Sequence, residues 1–525
     1  MIDRRRHILS AVTFLLALAL LAGGGLRLAG IAGKRQVEMD EGISLLAATG
    51  HQREYNRAVT EGSPLYGTWT QADQWKRLIR IEDRFPFGRI RDDLAATDVH
   101  PPLYFWLLHT WFLLCEAGIR SASLLNLVLF VPSVFVLFGL ARSCLKNPVE
   151  AALVALAWSL SPAVIQVSWI ARPYGLLVLC QLILVRQLIR FTDRPTAPAG
   201  RDYILLAGVT AAGLLTHYTF LTMIAGTVLF AVLNSRRAGW KRTTGFLSAI
   251  GAGVLPALIA HPFFYRSFLT QQRQAGGSPY GTFGFRAERV LTGFLNFFVG
   301  NRYLQLGVLA TLLALLAWNL FLSGKKEKLQ FPLTSSLPIF FLLWTSGTIV
   351  IPYLAGLNPL QQMGRRYLSL VYPFLAFVPV LIFRRRNKLR PAVICLFYLG
   401  LSLAATVRVV RFRQEETRSP DLAAISGSGR SILVDNLFRI FLPQVLYQLP
   451  DEMEVFAADQ DFLLGAPERW LDNLETPAIY ISRGYGKEKS RQEELIGVIG
   501  REYRTELVTD KLPSAGSVYR IGPEK

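Results

Sequence analysis

Charged residues are scarce in this chain of 525 residues: they make up 18% of it, while hydrophobic residues make up 51%. A soluble protein of this length would carry more charge and would divide its core among several domains. The apolar residues come in long blocks of Leu, Val, Ala and Phe. This composition excludes a disordered chain and an ordinary cytosolic enzyme, and it predicts an all-α polytopic membrane protein.

Cysteine is also rare, and no two cysteines form a CxxC pair. The four cysteines lie in or beside apolar segments, at Cys115, Cys144, Cys180 and Cys395. This usage indicates neither a disulfide framework nor a thiolate metal site. Acidic residues are fewer than basic ones, 37 against 57, and the formal net charge is +20. In a membrane protein such an excess is first a signal of topology, so we expect no nucleic-acid partner.

About eleven apolar blocks are predicted to span the membrane, the longer ones having the ~20 residues that cross ~30 Å of hydrocarbon. The first runs from Ile8 to about Ala29 and follows the basic start MIDRRRH. It is too long for the apolar core of a typical signal peptide. The other blocks are 121–141, 149–169, 174–190, 203–216, 218–234, 245–263, 303–322, 337–355, 367–383 and 391–408.

A further apolar block, at residues 102–118, decides the predicted topology. If it spanned the membrane, every later basic cluster would lie outside, in conflict with the arginines at positions 4–6. If it lies flat on the outer surface, all these clusters fall inside, and its Trp106 and Trp111 suit the interface. We therefore predict an interfacial helix here, a cytoplasmic N-terminus and an extracytoplasmic C-terminus.

The chain is predicted to have two parts. Residues 1–411 form the transmembrane module, whose first outer loop covers residues 30–120. Residues 412–525 have short apolar runs between charged stretches, which is typical of a small α/β domain. Strands are expected at SILVD 431–435, EVFAA 454–458, AIYIS 478–482 and SVYRI 517–521.

Asp40 and Glu41 are adjacent acids about ten residues after the first apolar block. Paired carboxylates just outside a membrane can act as a general base or hold a divalent cation. Acids in an outer loop can also be simply solvated. The pattern alone leaves both interpretations open.

The segment Asp98-Val99-His100-Pro101-Pro102-Leu103-Tyr104 predicts a helix start, because proline suits the first helical turn. The free N–H groups and positive dipole end of such a start can hold an anion. His100 adds a donor. The alternative is a prolyl helix start capped by Asp98 or His100, with no ligand.

Two short outer turns carry further polar residues. Arg172, followed by Pro173 and Tyr174, can bind a lipid phosphate with both arms of its guanidinium, or it can extend to the interface as a structural group. His217 and Tyr218 lie at a comparable depth two helices later. A single interfacial histidine is more often structural than catalytic.

Arg365 and Arg366 lie in a short outer loop, against the preference of basic residues for the inside. A bound anion would compensate these charges. The alternative is that they balance negative charge on the C-terminal domain.

In this order, the first helix, Asp40-Glu41, the DVHPPLY segment, ARPY, THY and the late RRY resemble the GT-C superfamily of polyprenyl-phosphate-sugar glycosyltransferases. The resemblance is greatest to bacterial proteins related to protein O-mannosyltransferases and to the lipid A aminoarabinose transferase. It covers residues 8–408 and does not extend to the C-terminal domain.

The resemblance implies an inverting glycosyltransferase that moves a sugar from undecaprenyl phosphate to a hydroxyl of a lipid, glycan or protein outside the inner membrane. Asp40 matches the family's first-loop acid, the expected general base. Glu41 matches the neighbouring acid, which would place the acceptor or a metal. His100 matches the histidine near the donor phosphate. By their position, further phosphate contacts are expected from Arg172, Arg365 and Arg366.

Three other functions fit a membrane protein of this kind: a transporter or flippase of lipid-linked substrates, a non-catalytic envelope scaffold, and another lipid-linked glycan enzyme such as a ligase or polymerase. A transporter would place ionisable residues at mid-membrane, whereas Arg27 and Arg186 lie near the ends of their blocks. No second acidic pair follows the ARPY segment, since Asp92, Asp93 and Asp98 all belong to the first loop. A divalent metal is therefore doubtful, and no other cofactor is expected.

Overall fold

The apolar blocks of the sequence form helices. The computed structural model describes residues 2–60, 62–97, 100–192, 198–275, 282–299, 305, 333–355, 366–383, 390–418, 431–435, 442–482, 487–512 and 516–524. In the membrane part and its loops the helices are α1 (Ile2–Ala32), α2 (Met39–Thr49), α3 (Gln52–Ala58), α4 (Ala72–Lys76), α5 (Phe87–Thr97), α6 (Leu103–Leu114), α7 (Ile119–Leu145), α8 (Pro148–Leu160), α9 (Pro162–Trp169), α10 (Tyr174–Thr192), α11 (Gly200–Thr216), α12 (Phe220–Leu233), α13 (Ser235–Ala238), α14 (Trp240–Ala260), α15 (Phe264–Ala275), α16 (Phe283–Leu295), α17 (Leu333–Leu354), α18 (Tyr372–Leu375), α19 (Phe377–Phe383) and α20 (Arg390–Arg418).

Within these ranges, six helices are long and apolar enough to cross a membrane: Arg6–Ala32, Ile119–Leu145, Tyr174–Thr192, Trp240–Ala260, Ser336–Leu354 and Ile394–Thr417. The bent pair α8–α9 makes a seventh. The helices α11 and α12 and the apolar stretch Tyr372–Ile382 are shorter. The block at 303–322 lies outside the described residues apart from position 305, so the count of eleven spans stays a prediction. The helical membrane fold itself is confirmed.

The block predicted as one span at 149–169 is broken at Ser161. The two halves meet at 54°. Ser161 caps α9 by accepting a hydrogen bond from the backbone N–H of Val164, and Pro162 occupies the first turn. At the break, the backbone carbonyl of Ser159 accepts a hydrogen bond of 2.8 Å from Arg27, which is fully buried rather than interfacial. The buried guanidinium thus satisfies a carbonyl that the break would leave unpaired.

The helix α6 has 12 residues, which at 1.5 Å per residue is about 18 Å and too short to cross ~30 Å of hydrocarbon. Its buried His109 bonds through Nδ1 to the carbonyl of Ala48, at 2.8 Å, and through Nε2 to that of Arg84, at 2.9 Å. These contacts fix α6 against the first outer loop. Its length fits an interfacial helix.

The C-terminal part forms the small α/β domain that the sequence predicts, and all four expected strands are present. Its helices are α21 (Leu442–Leu446), α22 (Gln460–Gly465), α23 (Glu468–Leu471) and α24 (Lys487–Glu502). The strands are β1 (Trp69–Gln71), β2 (Ser431–Asp435), β3 (Glu454–Ala458), β4 (Ala478–Ser482), β5 (Tyr503–Leu512) and β6 (Gly516–Glu524), in the order β1-β3-β2-β4-β6-β5. The central β3, β2 and β4 are parallel, and the other pairings are antiparallel.

The strand β1 does not come from the C-terminal part but from the first outer loop. It pairs with β3, with Trp69 opposite Phe456. Alternate residues of β2 face opposite sides of the sheet. Ile432 and Val434 pack against Leu46 of α2 and its neighbours, whereas Leu433 packs against α22 and α24. One face of the sheet therefore covers the first outer loop.

Candidate active site

The acids Asp40 and Glu41 lie in the first turn of α2, where negative charge favours the helix dipole. The helix begins after Glu38, whose backbone N–H donates to Glu41 Oε2 at 3.0 Å. It ends at Gly50, whose φ of 76° is in the left-handed region that glycine adopts at helix ends. The sequence thus places both acids at one defined helix end.

Glu41 is fully buried, and its carboxylate is fully engaged. Its Oε1 accepts the backbone N–H of Ala171 at 2.7 Å and pairs with Lys34 Nζ at 2.5 Å. Lys34, also buried, donates to the backbone carbonyl of Trp169 at 2.5 Å. These contacts join α2 to the segment that carries Arg172.

Asp40 faces a different direction and pairs with Arg366. The Asp40 side chain is 18% exposed and the Arg366 side chain is 24% exposed, so both groups are partly accessible. Arg172 is buried and approaches the same helix turn from another side. Its Nη1 lies 3.3 Å from the backbone carbonyl of Asp40 and 3.4 Å from Ser44 Oγ.

A row of rings extends from this ion pair to His100. The Arg366 guanidinium lies 5.2 Å from the centre of the Tyr367 ring. Tyr367 contacts Tyr174, with 6.1 Å between ring centres, and Tyr174 contacts His217 at 5.8 Å. His217 lies 5.7 Å from His100, edge to face. Residues from five separate parts of the chain therefore form one continuous surface.

Four helix starts lie along this surface: Asp40 is in the first turn of α2, His100 precedes α6, Tyr174 begins α10, and His217 lies between the end of α11 and the start of α12. Each start directs the positive end of its dipole towards the surface. Together with two arginines they make a favourable place for an anion.

His217 is oriented by its own loop. Its Nδ1 accepts the backbone N–H of Thr219 at 3.2 Å and lies 2.9 Å from Thr219 Oγ1. An Nδ1 that accepts from a backbone N–H leaves the ring proton on Nε2 in the neutral form.

Two tyrosines singled out from the sequence occupy more enclosed positions. Tyr104 is fully buried, and burial together with the carboxylate of Glu41 raises its pKa. Tyr218 turns away from the row of rings, and its hydroxyl lies 3.0 Å from His261 Nε2.

Comparison with known proteins gives two findings. Residues 99–262 match the family model described as dolichyl-phosphate-mannose-protein mannosyltransferase. The fold is similar to that of ArnT from Cupriavidus metallidurans bound to undecaprenyl phosphate, with a TM-score of 0.57, 13% identity and 97% of each chain covered. The apo form of ArnT gives a TM-score of 0.54 at 12% identity over the same shares. No curated protein sequence matches the chain.

The chain therefore has the fold of ArnT. The similarity to ArnT covers 97% of the chain and therefore includes the C-terminal domain, whereas the resemblance seen in the sequence ended at residue 408. The boundary expected at residue 412 stays a prediction.

The candidate active site brings together most of the residues expected from the sequence. Asp40, Glu41 and Arg172 lie together, and Arg366 joins them to the row of rings that ends at His100. Asp98 and Arg365 lie outside the described residues. In the part of the chain that the structure describes, no three His, Cys, Asp or Glu side chains are placed to hold a metal ion.

Sequence reasoning missed Lys34 as a member of the candidate active site. A signal was present, since Lys34 and Arg35 are basic residues on the predicted outer side, six residues or fewer before Asp40. The same departure from the positive-inside preference drew attention to Arg366. What the sequence could not show is that Lys34 is buried against Glu41.

Proposed function

We propose that this protein is a GT-C enzyme that transfers a sugar from undecaprenyl phosphate to a hydroxyl of a lipid, glycan or protein at the outer face of the bacterial inner membrane, with inversion at C1. The observation that carries the proposal is the contact of Arg366 and Arg172 with Asp40, next to a row of rings that passes three further helix starts. Such a surface combines donors for a phosphate with an acceptor for a proton.

In the proposed reaction, Asp40 takes the proton of the acceptor hydroxyl while the hydroxyl oxygen attacks C1 of the sugar. The bond between C1 and the phosphate oxygen breaks, and its electron pair leaves with undecaprenyl phosphate. Arg366, Arg172 and His100 stabilise the negative charge that grows on the phosphate. Because the leaving group is already a stabilised anion, no strong general acid is required.

Arg366 has two partners in this scheme. Without donor its guanidinium pairs with Asp40. A phosphate that binds Arg366 competes for the same donors, because carboxylate and phosphate both accept bidentate bonds from arginine. We infer that donor binding releases the carboxylate of Asp40 for the acceptor.

Glu41 has a different proposed role from the one the resemblance implies. Its carboxylate oxygens accept bonds from Lys34, Ala171 and Glu38 in a buried place. We assign it the positioning of α2 rather than contact with the acceptor or a metal.

The choice of donor is supported by ArnT, whose matching structure holds undecaprenyl phosphate. The test begins with mass spectrometry of envelope lipids and glycans from a deletion strain, which shows which sugar is missing. The purified full chain in proteoliposomes is then given that sugar, carrying the label, on undecaprenyl phosphate together with the acceptor fraction. We expect the label to move to the acceptor as undecaprenyl phosphate forms.

The same assay separates the alternatives. A flippase would move the intact labelled donor across the bilayer without releasing undecaprenyl phosphate. A scaffold would do neither. Either result would overturn the proposal of sugar transfer.

Arg366 gives the first test of the phosphate site. Arg366→Gln is expected to lower kcat/KM for the donor about 10²- to 10³-fold, the range seen when one donor to a developing charge is removed. Arg366→Lys should retain more activity, because it keeps the charge but loses the bidentate geometry. Arg80→Gln, in an exposed ion-pair cluster with Asp73 and Asp451, is the matched control and should change little. Equal activity of Arg366→Gln and the control would exclude this phosphate contact.

The topology is tested by labelling single cysteines in a cysteine-free background with a membrane-impermeant reagent. A cysteine at exposed Leu507 in β5 is expected to react in intact cells without inner-membrane permeabilisation. A cysteine at exposed Trp240, beside the basic cluster before α14, should react only after the inner membrane is opened. Labelling of both from the same side would contradict the predicted arrangement.

A further inference from the structure

The segment between α1 and α2, residues 33–38, connects the first spanning helix to the helix that carries Asp40. It forms no regular secondary structure beyond a turn at residue 33. Its course therefore depends on the groups that bind it. We call residues 33–38 the linker.

Side chains from three distant elements bind the linker backbone. Arg120 of α7 donates to the carbonyl of Lys34 at 2.9 Å. Glu416, near the end of α20, accepts the backbone N–H groups of residues 35 and 36, at 2.7 and 2.8 Å. Gln444 of α21 donates to the carbonyl of Val37 at 2.6 Å. The linker is thus held from the membrane helices and from the outer domain at once.

The outer domain adds a side-chain contact to this set. Gln448, just after α21, donates to Gln36 Oε1 at 2.6 Å, and Gln36 donates back to Gln448 Oε1 at 3.3 Å. Gln36 and Gln444 are 5% exposed. Water competes poorly for such buried amides, so removing a partner leaves a polar group unpaired.

The apolar side of α2 is in contact with the same domain. Leu46 packs in one cluster with Leu442 and Val445 of α21. The same cluster includes Ile432, on the face of the sheet that covers the first outer loop. The outer domain therefore contacts α2 in two places. One is the start of the helix, through the linker, and the other is its apolar side.

We propose that α21 and Gln448 of the outer domain are positioning elements for Asp40. Gln444 and Gln448 hold the linker so that α2 presents its first turn to Arg366 at the required distance. This inference rests on the proposed function, since it assigns the base to Asp40. The position of Asp40 affects the rate strongly, because a displacement of about 1 Å can lower the rate of a reaction about 10²-fold.

The test uses the full chain with Gln444→Leu and Gln448→Leu combined, which keeps the side-chain size and removes the amide groups. We expect kcat to fall about 10- to 100-fold while KM for the donor changes less than about twofold, because the phosphate site is untouched. Gln448→Glu retains the bond accepted from Gln36 and loses the one donated to it, so its kcat should be intermediate. The matched control is Gln492→Leu, a buried glutamine of the same domain that bonds Tyr519 instead of the linker.

A second readout does not depend on activity. Hydrogen exchange of the double variant should become faster in residues 33–49 and stay unchanged in the sheet, whereas the control should leave residues 33–49 unchanged. Full kcat in the double variant, or faster exchange throughout the outer domain, would overturn the positioning role. If the parent protein transfers no sugar at all, the proposed function fails instead, and the exchange experiment still decides whether the linker is held.

Discussion

Replacing Asp40 with asparagine is expected to lower kcat for sugar transfer by about 10²- to 10⁴-fold, the contribution typical of a general base. Asparagine has the same shape and can still accept a bond from Arg366, but it cannot take a proton from the acceptor. KM for the donor should change little, because the phosphate contacts come from other residues. The measurement is steady-state transfer in proteoliposomes at saturating acceptor.

The matched control for this variant is Asp73→Asn. Asp73 is also an outer-loop acid paired with an arginine, Arg80, but it is remote from the row of rings. It should transfer at the parent rate. If Asp40→Asn transfers as fast as Asp73→Asn, Asp40 is not the base.

Replacing Lys34 with methionine is expected to produce the largest loss of stability. It leaves Glu41 fully buried without its cation, and breaking one side of a buried ion pair costs about 3–5 kcal/mol. The loss should appear in the free energy of unfolding, or as a lower midpoint of thermal inactivation in detergent. Transfer should fall as well, because Glu41 anchors the first turn of α2.

The double variant Lys34→Met with Glu41→Gln separates the ion pair from its surroundings. Because the two charges interact directly, the double variant should lose less stability than the sum of the two single variants. Additive losses would mean that the pair contributes nothing beyond its separate contacts. Lys76→Met, in a less buried pair with Asp451, is the control and should cost less.

Much of the fold could be predicted from local patterns. The strands β2, β3 and β4 are short apolar runs between polar segments, and this pattern is typical of a buried central strand. The strand β1 has only three residues, Trp69–Gln71, and no periodicity can be read from so few. Its existence depends on an edge that β3 offers from a distant part of the chain.

The candidate site likewise has residues that local sequence could indicate and contacts that depend on distant parts of the chain. The order of motifs led to Asp40, His100 and Arg172 through a resemblance to a family, and their roles stay predictions. The pairing of Lys34 with Glu41 could not be predicted, since burial of both depends on packing against Trp169, whose carbonyl Lys34 binds across 135 positions. The sequence Ser161-Pro162 is a local signal for a break between two helices. Because the residues on both sides are apolar, the block 149–169 was nevertheless predicted as one span.

The pairing of β1 with β3 also constrains how the chain is made. Thr70 and its partner Val455 are 385 positions apart, so at ~5–20 residues per second a ribosome needs roughly 20–80 s between them. During that interval the segment that contains β1 has no sheet to join. Its final shape is completed only after β3 has been made, so we expect a protein truncated before β3 to lack the partner of β1.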